Sequence, residues 1–170
     1  LDTFYKKADA YTDIEIKKFV NENKDKLKQD YIDFSYVNIN PIDLIGLEEF
    51  NQTFFDKIDG IENQISKNVD FKIIVEDLNL SSTSVMSYVS LDSEKTINNK
   101  IYNSRKNKTD ILEDNGTYIF YNIDTLSTRL PSLDEDKFKK EIKNLLYQKD
   151  KYEFNKNILD KINEKKFNQV

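Results

Sequence analysis

Hydrophobic and polar positions alternate most regularly between Phe71 and Asp92, FKIIVEDLNLSSTSVMSYVSLD, the densest run of β-branched and apolar residues in the chain. In an extended backbone Phe71, Ile73 and Val75 fall on one side, and Ile74, Leu78 and Leu80 on the other. After the polar corner Ser81-Ser82 the alternation resumes, with Val85, Ser87, Val89 and Leu91 set against Met86, Tyr88, Ser90 and Asp92. Period two over two consecutive runs predicts antiparallel strands, Phe71–Leu80 and Val85–Leu91, paired at the centre of a sheet.

The rest of the chain reads as helices that cover this sheet and strands that extend it. Residues 1–30 carry an apolar stripe at helical spacing through Phe4, Ala8, Tyr11, Ile16, Phe19, Val20 and Leu27, and Thr12 with Glu15 has the form of a capping box, with a break near Tyr11. Tyr31–Ile39 alternates as a strand with Ile32, Phe34 and Tyr36 on one face. Asn40 and Pro41 suit the N-cap and first position of a helix over 41–66. Its seam is Leu44, Leu47, Phe50, Phe54, Ile58, Ile61 and Ile65, with an interruption at Gly60, and Phe50, Phe54 and Phe55 read as a core stripe.

Thr96–Asn103, with Ile97 and Ile101 on one side, is expected as an edge strand, and Ser104–Lys108 as a polar loop. Asp114-Asn115-Gly116 is a hairpin signal, because Asn-Gly accepts the positive φ of a type I′ turn. It folds Thr109–Glu113 back on Thr117–Asp124, where Tyr118 and Phe120 face one way and Ile119, Tyr121 and Ile123 the other. Ser132 and Glu135 form a second capping box before a helix that buries Phe138, Ile142, Leu145 and Leu146. Asp150 and Glu153 then cap a further helix carrying Phe154, Ile158, Leu159 and Ile162. The expected fold class is α+β: an antiparallel sheet of about 4–5 strands covered by amphipathic helices. The helices come from an N-terminal segment (1–30), a middle one (41–66, inserted within the sheet region 31–130) and a C-terminal one (132–165), all in a single domain.

Composition narrows the function more than it names it. The chain has 170 residues, 38% of them hydrophobic, with a mean hydropathy of −0.72. An aromatic share of 12% argues for a folded domain with a very polar surface, since disordered chains lack aromatics. Arginine occurs only at Arg105 and Arg129, and the net charge of −5 leaves no basic footprint for nucleic acid. With no Cys there is no disulfide, thiolate nucleophile or zinc–thiolate site; with no His the commonest general base and transition-metal ligand are gone. No apolar run is long enough to span a membrane. The chain begins at Leu1 rather than Met. The expectation drawn from that is an extracytoplasmic protein (periplasmic, cell-surface or secreted) whose signal or membrane anchor is missing here, with a cytoplasmic one as the alternative.

Candidate chemistry dissolves on inspection. Asp134, Glu135 and Asp136 are placed where carboxylates offset a helix dipole, which explains them without a metal. Asp110, Glu113 and Asp114 lack the glycine spacing of a calcium loop, and Ser81, Ser82 and Ser84 have no histidine to activate them. The feature above background is tyrosine: Tyr31, Tyr36, Tyr88, Tyr102, Tyr118 and Tyr121 all lie on predicted strands. Of these, Tyr88, Tyr102, Tyr118 and Tyr121 are expected to form a partner-binding surface on an incompletely covered sheet. The functional expectation is a non-enzymatic interaction or structural domain of a bacterial cell-envelope protein, binding another protein and needing no cofactor or metal. Two alternatives stand beside it. One is a cytosolic acidic inhibitor or immunity-type protein steered toward a basic partner. The other is a carrier holding an apolar ligand between the sheet and the Leu44–Ile65 helix.

Overall fold

A computed structural model describes residues 10–90, 95–114 and 116–167. They form an α+β fold with helices drawn from the N-terminal, middle and C-terminal segments and a four-stranded antiparallel sheet. The strands are β1 (Gln29–Ile39), β2 (Thr83–Tyr88), β3 (Thr109–Asp114) and β4 (Thr117–Arg129), in the order β2-β1-β4-β3. The helices among the described residues are α1 (Asp13–Asn23), α2 (Pro41–Ile45), α3 (Gln52–Ser66), α4 (Phe71–Asp77), α5 (Ile97–Asn103) and α6 (Asp136–Phe167). The chain divides into two compact units, one of residues Leu1–Gln29 with Arg129–Val170, the other of Asp30–Thr128.

The expected hairpin is present in its pairing. β3 and β4 pair from Thr109↔Asn122 to Asp114↔Thr117, so the chain reverses between Asp114 and Thr117, with Gly116 at φ +78°; Asn115 lies outside the described residues. The strand over Tyr31–Ile39 is β1. The faces also fall as the alternation predicts. Phe120 joins Val37 and Ile39 in one cluster, while Ile119, Tyr121 and Ile123 join Ile32 and Phe34 in the other.

Two predicted strands are helices. Phe71–Asp77 is α4, so the expected central pairing of Phe71–Leu80 with Val85–Leu91 does not exist; β1 and β4 are central and β2 is an edge strand. The reason lies in spacing and caps. Phe71, Ile74, Val75 and Leu78 also satisfy the helical i, i+3, i+4, i+7 pattern. The Asp70 carboxylate accepts the Lys72 N–H at 2.8 Å, starting the helix, and Asn79 at φ +54° ends it. There the Asn79 N–H donates to the Glu76 carbonyl at 2.9 Å and the Leu80 N–H to the Val75 carbonyl at 3.0 Å, a Schellman termination. Thr96–Asn103, expected as an edge strand, is likewise α5, capped by Thr96 Oγ1 accepting the Asn99 N–H at 3.2 Å. Ile97 and Ile101, four apart, align in either period.

Helix boundaries shift elsewhere too. The predicted 41–66 helix is two, because Gly46 at φ +71° closes α2 and Asn51 caps α3 through the Phe54 N–H at 3.1 Å; Gly60 sits inside α3 without interrupting it. α3 ends in a second Schellman turn, with Asn68 at φ +57° and the Val69 N–H donating to the Gln64 carbonyl at 3.0 Å. The two predicted C-terminal helices are one, α6, which starts at Asp136 rather than beside Ser132. Leu159 and Ile162 are exposed there.

In the unit of the two terminal segments, α1 packs on the first half of α6. The Thr12–Glu15 capping box is present, and Tyr11, Ile16 and Val20 meet Phe138, Ile142 and Leu146. Tyr11 donates to Asp150 at 2.7 Å, and burial raises its hydroxyl well above the ordinary tyrosine value. The parts of the N-terminal stripe at Phe4 and Ala8 lie outside the described residues.

In the other unit the sheet has a core on each face. On one face Val37, Ile39 and Phe120 pack against Phe54, Ile58 and Ile61 of α3 and Phe71, Ile74 and Val75 of α4. On the other Ile32, Phe34, Ile119, Tyr121 and Ile123 pack with Ile101 and Tyr102 of α5.

Candidate functional site

The four tyrosines nominated from sequence do not share a surface. Tyr121 is buried, donates to the Ser104 carbonyl at 3.1 Å, and is pushed by burial up to about 12. Tyr102 lies on α5 rather than on a strand and is buried. Its hydroxyl donates to the Asp30 carbonyl at 2.8 Å and is raised by burial, while the Arg105 guanidinium stands 4.3 Å above the ring. Tyr88, half-buried, donates to the Asn99 side chain beside them. These three fill the same cluster, whereas Tyr118 belongs to the opposite face.

Tyr118 leads to a site that the sequence reading placed in the core. Its ring lies 5.4 Å from Phe54, 6.3 Å from Phe50 and 6.5 Å from Phe55. Phe54 is fully buried, but Phe50 and Phe55 are 46% and 39% exposed, and Leu47 and Ile42 beside them in sequence are exposed as well. The local sequence explains why. Gly46 breaks the helical seam, so Phe50 falls in the link before the Asn51 cap and leans its ring on Phe54 at 5.0 Å. Phe55 is one residue, and so about 100°, around α3 from the Phe54–Ile58–Ile61 seam. The hairpin brings Tyr118 to them from β4. Phe50, Phe55 and Tyr118 thus form an aromatic platform seated on a fixed aromatic base, Phe54.

The platform's charge environment is one-sided. Glu48 and Glu49 immediately precede Phe50, and Glu113 is the cross-strand partner of Tyr118. Asp59 and Glu62 continue the α3 stripe that starts at Phe55, at the i+4 and i+7 positions. All five carboxylates are exposed. The Tyr118 hydroxyl is raised first by burial and then by the negative charges of Glu113 and Glu62.

The same unit also holds a cleft of about 390 Å³ between the α3–α4 turn and the β3–β4 strands. Asn68, Asp70, Asn107, Lys108, Thr109 and Asn122 line it over Ile65, Val69 and Phe71. Most of its polar side chains are committed to one another or to the backbone. Thr109 donates to Asn122 at 2.6 Å, Asn122 to Asp124 at 2.8 Å and Asn107 to Asp110 at 2.7 Å, while Asp70 caps α4. Asp70 is the one carboxylate in the lining among the described residues, so no pair of acids among them converges on this cleft. Among the described residues no group of three or more carboxylates is placed to hold a metal ion, and no helix is long and apolar enough to cross a membrane.

Comparison with known protein families, with curated proteins and with solved structures finds no match to this chain.

Proposed function

We propose that the chain is a non-enzymatic protein-interaction domain, and that Phe50, Phe55 and Tyr118 form its docking platform. The observation that carries this reading is two exposed phenylalanines held on a rigid aromatic base. Large rings with little rotamer freedom to lose are the side chains that anchor protein interfaces. The alternative of an apolar carrier is disfavoured, because the space it needs between the sheet and α3 is filled by Phe54, Ile58, Ile61 and Phe120.

The test is site-specific photo-cross-linking in the native cell, with a benzophenone side chain at Phe55 or, across the α3 seam, at Lys57. The expected result is a discrete adduct from position 55 and none from 57. The untagged wild-type domain competes it away, and the Phe50→Ser/Phe55→Ser domain does not. Equal competition by the two domains sinks the proposal. Both rings are partly exposed, so the double variant is expected to melt close to the wild type.

A further inference from the structure

We infer that the segment received by this platform is cationic as well as apolar: a stretch of a partner protein carrying several Lys or Arg residues among aliphatic ones. The inference rests on the docking reading above and narrows it to one class of occupant.

Charge complementarity selects this occupant. Glu48, Glu49, Asp59, Glu62 and Glu113 surround the three rings in sequence, along the helix stripe or across the hairpin, and none of them makes an ion pair within the described residues. Some acids elsewhere are paired, although within the described residues others, such as Glu76, Asp77 and Asp124, make no ion pair. Asp30 holds Arg105 at 2.9 Å, Asp13 holds Lys139 at 2.8 Å, Asp25 holds Lys28 at 2.8 Å, and Asp114 is bridged to Lys100. Residues 41–56, which include the whole approach to Phe50 and Phe55, contain no Lys or Arg at all, in a chain that has 26 of them. The next cation, Lys57, is two residues past Phe55 and so about 200° around the helix.

An apolar patch inside an uncompensated negative field attracts a partner with the opposite field and repels nucleic acid and anionic lipid. The rings add a short-range term of the same sign, since aromatic faces attract Lys and Arg heads. A cationic side chain can also lay its methylene stem along Phe50 or Phe55 while its head meets a carboxylate. A neutral apolar partner gains none of this and leaves the acids unpaired.

The experiment titrates the full 15N-labelled chain with three capped peptides of one length and one leucine pattern, bearing lysine, glutamine or glutamate at the remaining positions. Backbone amides of Phe50, Phe55 and Tyr118 report binding. The lysine peptide is expected to shift them, and the glutamate peptide to leave them unmoved. The glutamine peptide should bind at least about tenfold more weakly. Affinity for the lysine peptide should fall as ionic strength rises from about 0.01 M to 0.1 M, where the screening length shrinks from about 30 Å to 10 Å. The Glu48→Gln/Glu49→Gln/Glu62→Gln variant, which keeps every ring, should lose about tenfold in affinity, and Phe50→Ser/Phe55→Ser should lose binding altogether. Equal binding of glutamine and lysine peptides overturns the cationic class while leaving a docking platform in place. Silence at those three amides with all peptides, alongside an intact cross-link at position 55, overturns it too. So does the same shift produced by calcium chloride alone, or lysine-peptide shifts spread evenly over the acids of α1 and α6.

Discussion

The two faces of the sheet are sealed in different chemical currencies. On the α3/α4 face the cover is long and the seal is dry. Phe54, Ile58, Ile61, Phe71, Ile74 and Val75 close over Val37, Ile39 and Phe120, and the buried polar side chain on that side of β1, Ser35, bonds to Ser84 at 3.0 Å and to Asp124 at 2.9 Å. On the α5 face the covering helix is a short one, Ile97–Asn103, and tyrosines complete the seal. Their hydroxyls reach backbone and side-chain acceptors: Tyr121 to Ser104, Tyr102 to Asp30 and Tyr88 to Asn99. Next to them Arg105 grips the Asp30 carboxylate with Nε at 3.0 Å and Nη2 at 2.9 Å, and Thr128 donates to its other oxygen at 2.8 Å. A hydrocarbon seal resists by volume, and a tyrosine seal by geometry and protonation state. The α5 face, with Tyr121 and Tyr102 buried and raised, should be the more sensitive to pH, and the α3/α4 face the more sensitive to cavities.

The largest effect expected from this contrast is at Phe54. Replacing it with alanine empties the centre of the dry face, and urea unfolding should show a loss of about 3–5 kcal/mol, with little dependence on pH between neutral and alkaline. A loss under about 1 kcal/mol would show that α3 closes over the gap, and the two faces would then not differ in kind.

Asp30→Ala comes next. It strips a partly exposed carboxylate from Arg105 and Thr128, and the expected cost is about 1–2 kcal/mol, below the full value of a buried charged bond because water screens the pair. The pH profile sharpens it. Thr128's hydroxyl and then Arg105's guanidinium hold the Asp30 carboxyl below its ordinary value, so the unfolded chain takes up the proton first. The stabilisation is complete above the unfolded value near 3.9 and drains away as pH falls through the lower folded value. Wild type and Asp30→Ala should therefore converge in stability on acidification, a trend read from urea midpoints at successive pH values.

Tyr121→Phe removes one hydroxyl bond and should cost about 1 kcal/mol at neutral pH. Its sharper signature is alkaline. With its folded value pushed up to about 12, Tyr121 favours the fold at every pH below the unfolded value near 10, and this support is lost as pH climbs through the folded value. Wild type should lose stability across that window faster than Tyr121→Phe does. Parallel curves would refute the idea that the α5 face is the titrating one. The smallest effect belongs to Phe55→Ser, expected within about 0.5 kcal/mol of wild type, because its ring lies outside both seals.

Parts of this arrangement were legible in the sequence and parts were not, for a physical reason that recurs. β1 and the β3–β4 hairpin are runs where alternation is unambiguous and a turn signal fixes the register, so strands and faces both read correctly. α4 and α5 carry apolar pairs four residues apart, which period two and period 3.6 share. The deciding signals were the ends: Asp70 and Thr96 as caps, and Asn79 as a left-handed terminator. These occupy one residue each and are outvoted when a whole run is scored for alternation. The same weighting hid the platform. Phe50, Phe54 and Phe55 look like one stripe until Gly46 and Asn51 are allowed to restart the helix, after which only Phe54 points inward. The four tyrosines part for a different reason: Tyr102, read as a strand residue, lies on α5, and sequence does not show that so short a helix leaves room for rings and hydroxyls underneath it.

The pairing of β2 with β1 shifts register between Ile32 and Phe34, a bulge with a consequence of another kind. From Asn79 to Leu91 the chain has no charged residue, and at its centre β2 is an edge strand, TSVMSY. A flat, neutral, proline-free edge of that sort is a template on which further chains can polymerise. Opposite Asp33 the strand carries both Met86 and Ser87; Ser87 stands at φ +51°, and its N–H goes to the Asp33 carboxylate at 2.6 Å instead of to the ladder. The bulge divides the edge into pieces too short and too twisted to seed a fibril. By holding that one amide, Asp33 interrupts the open edge of a strand that has no charge of its own.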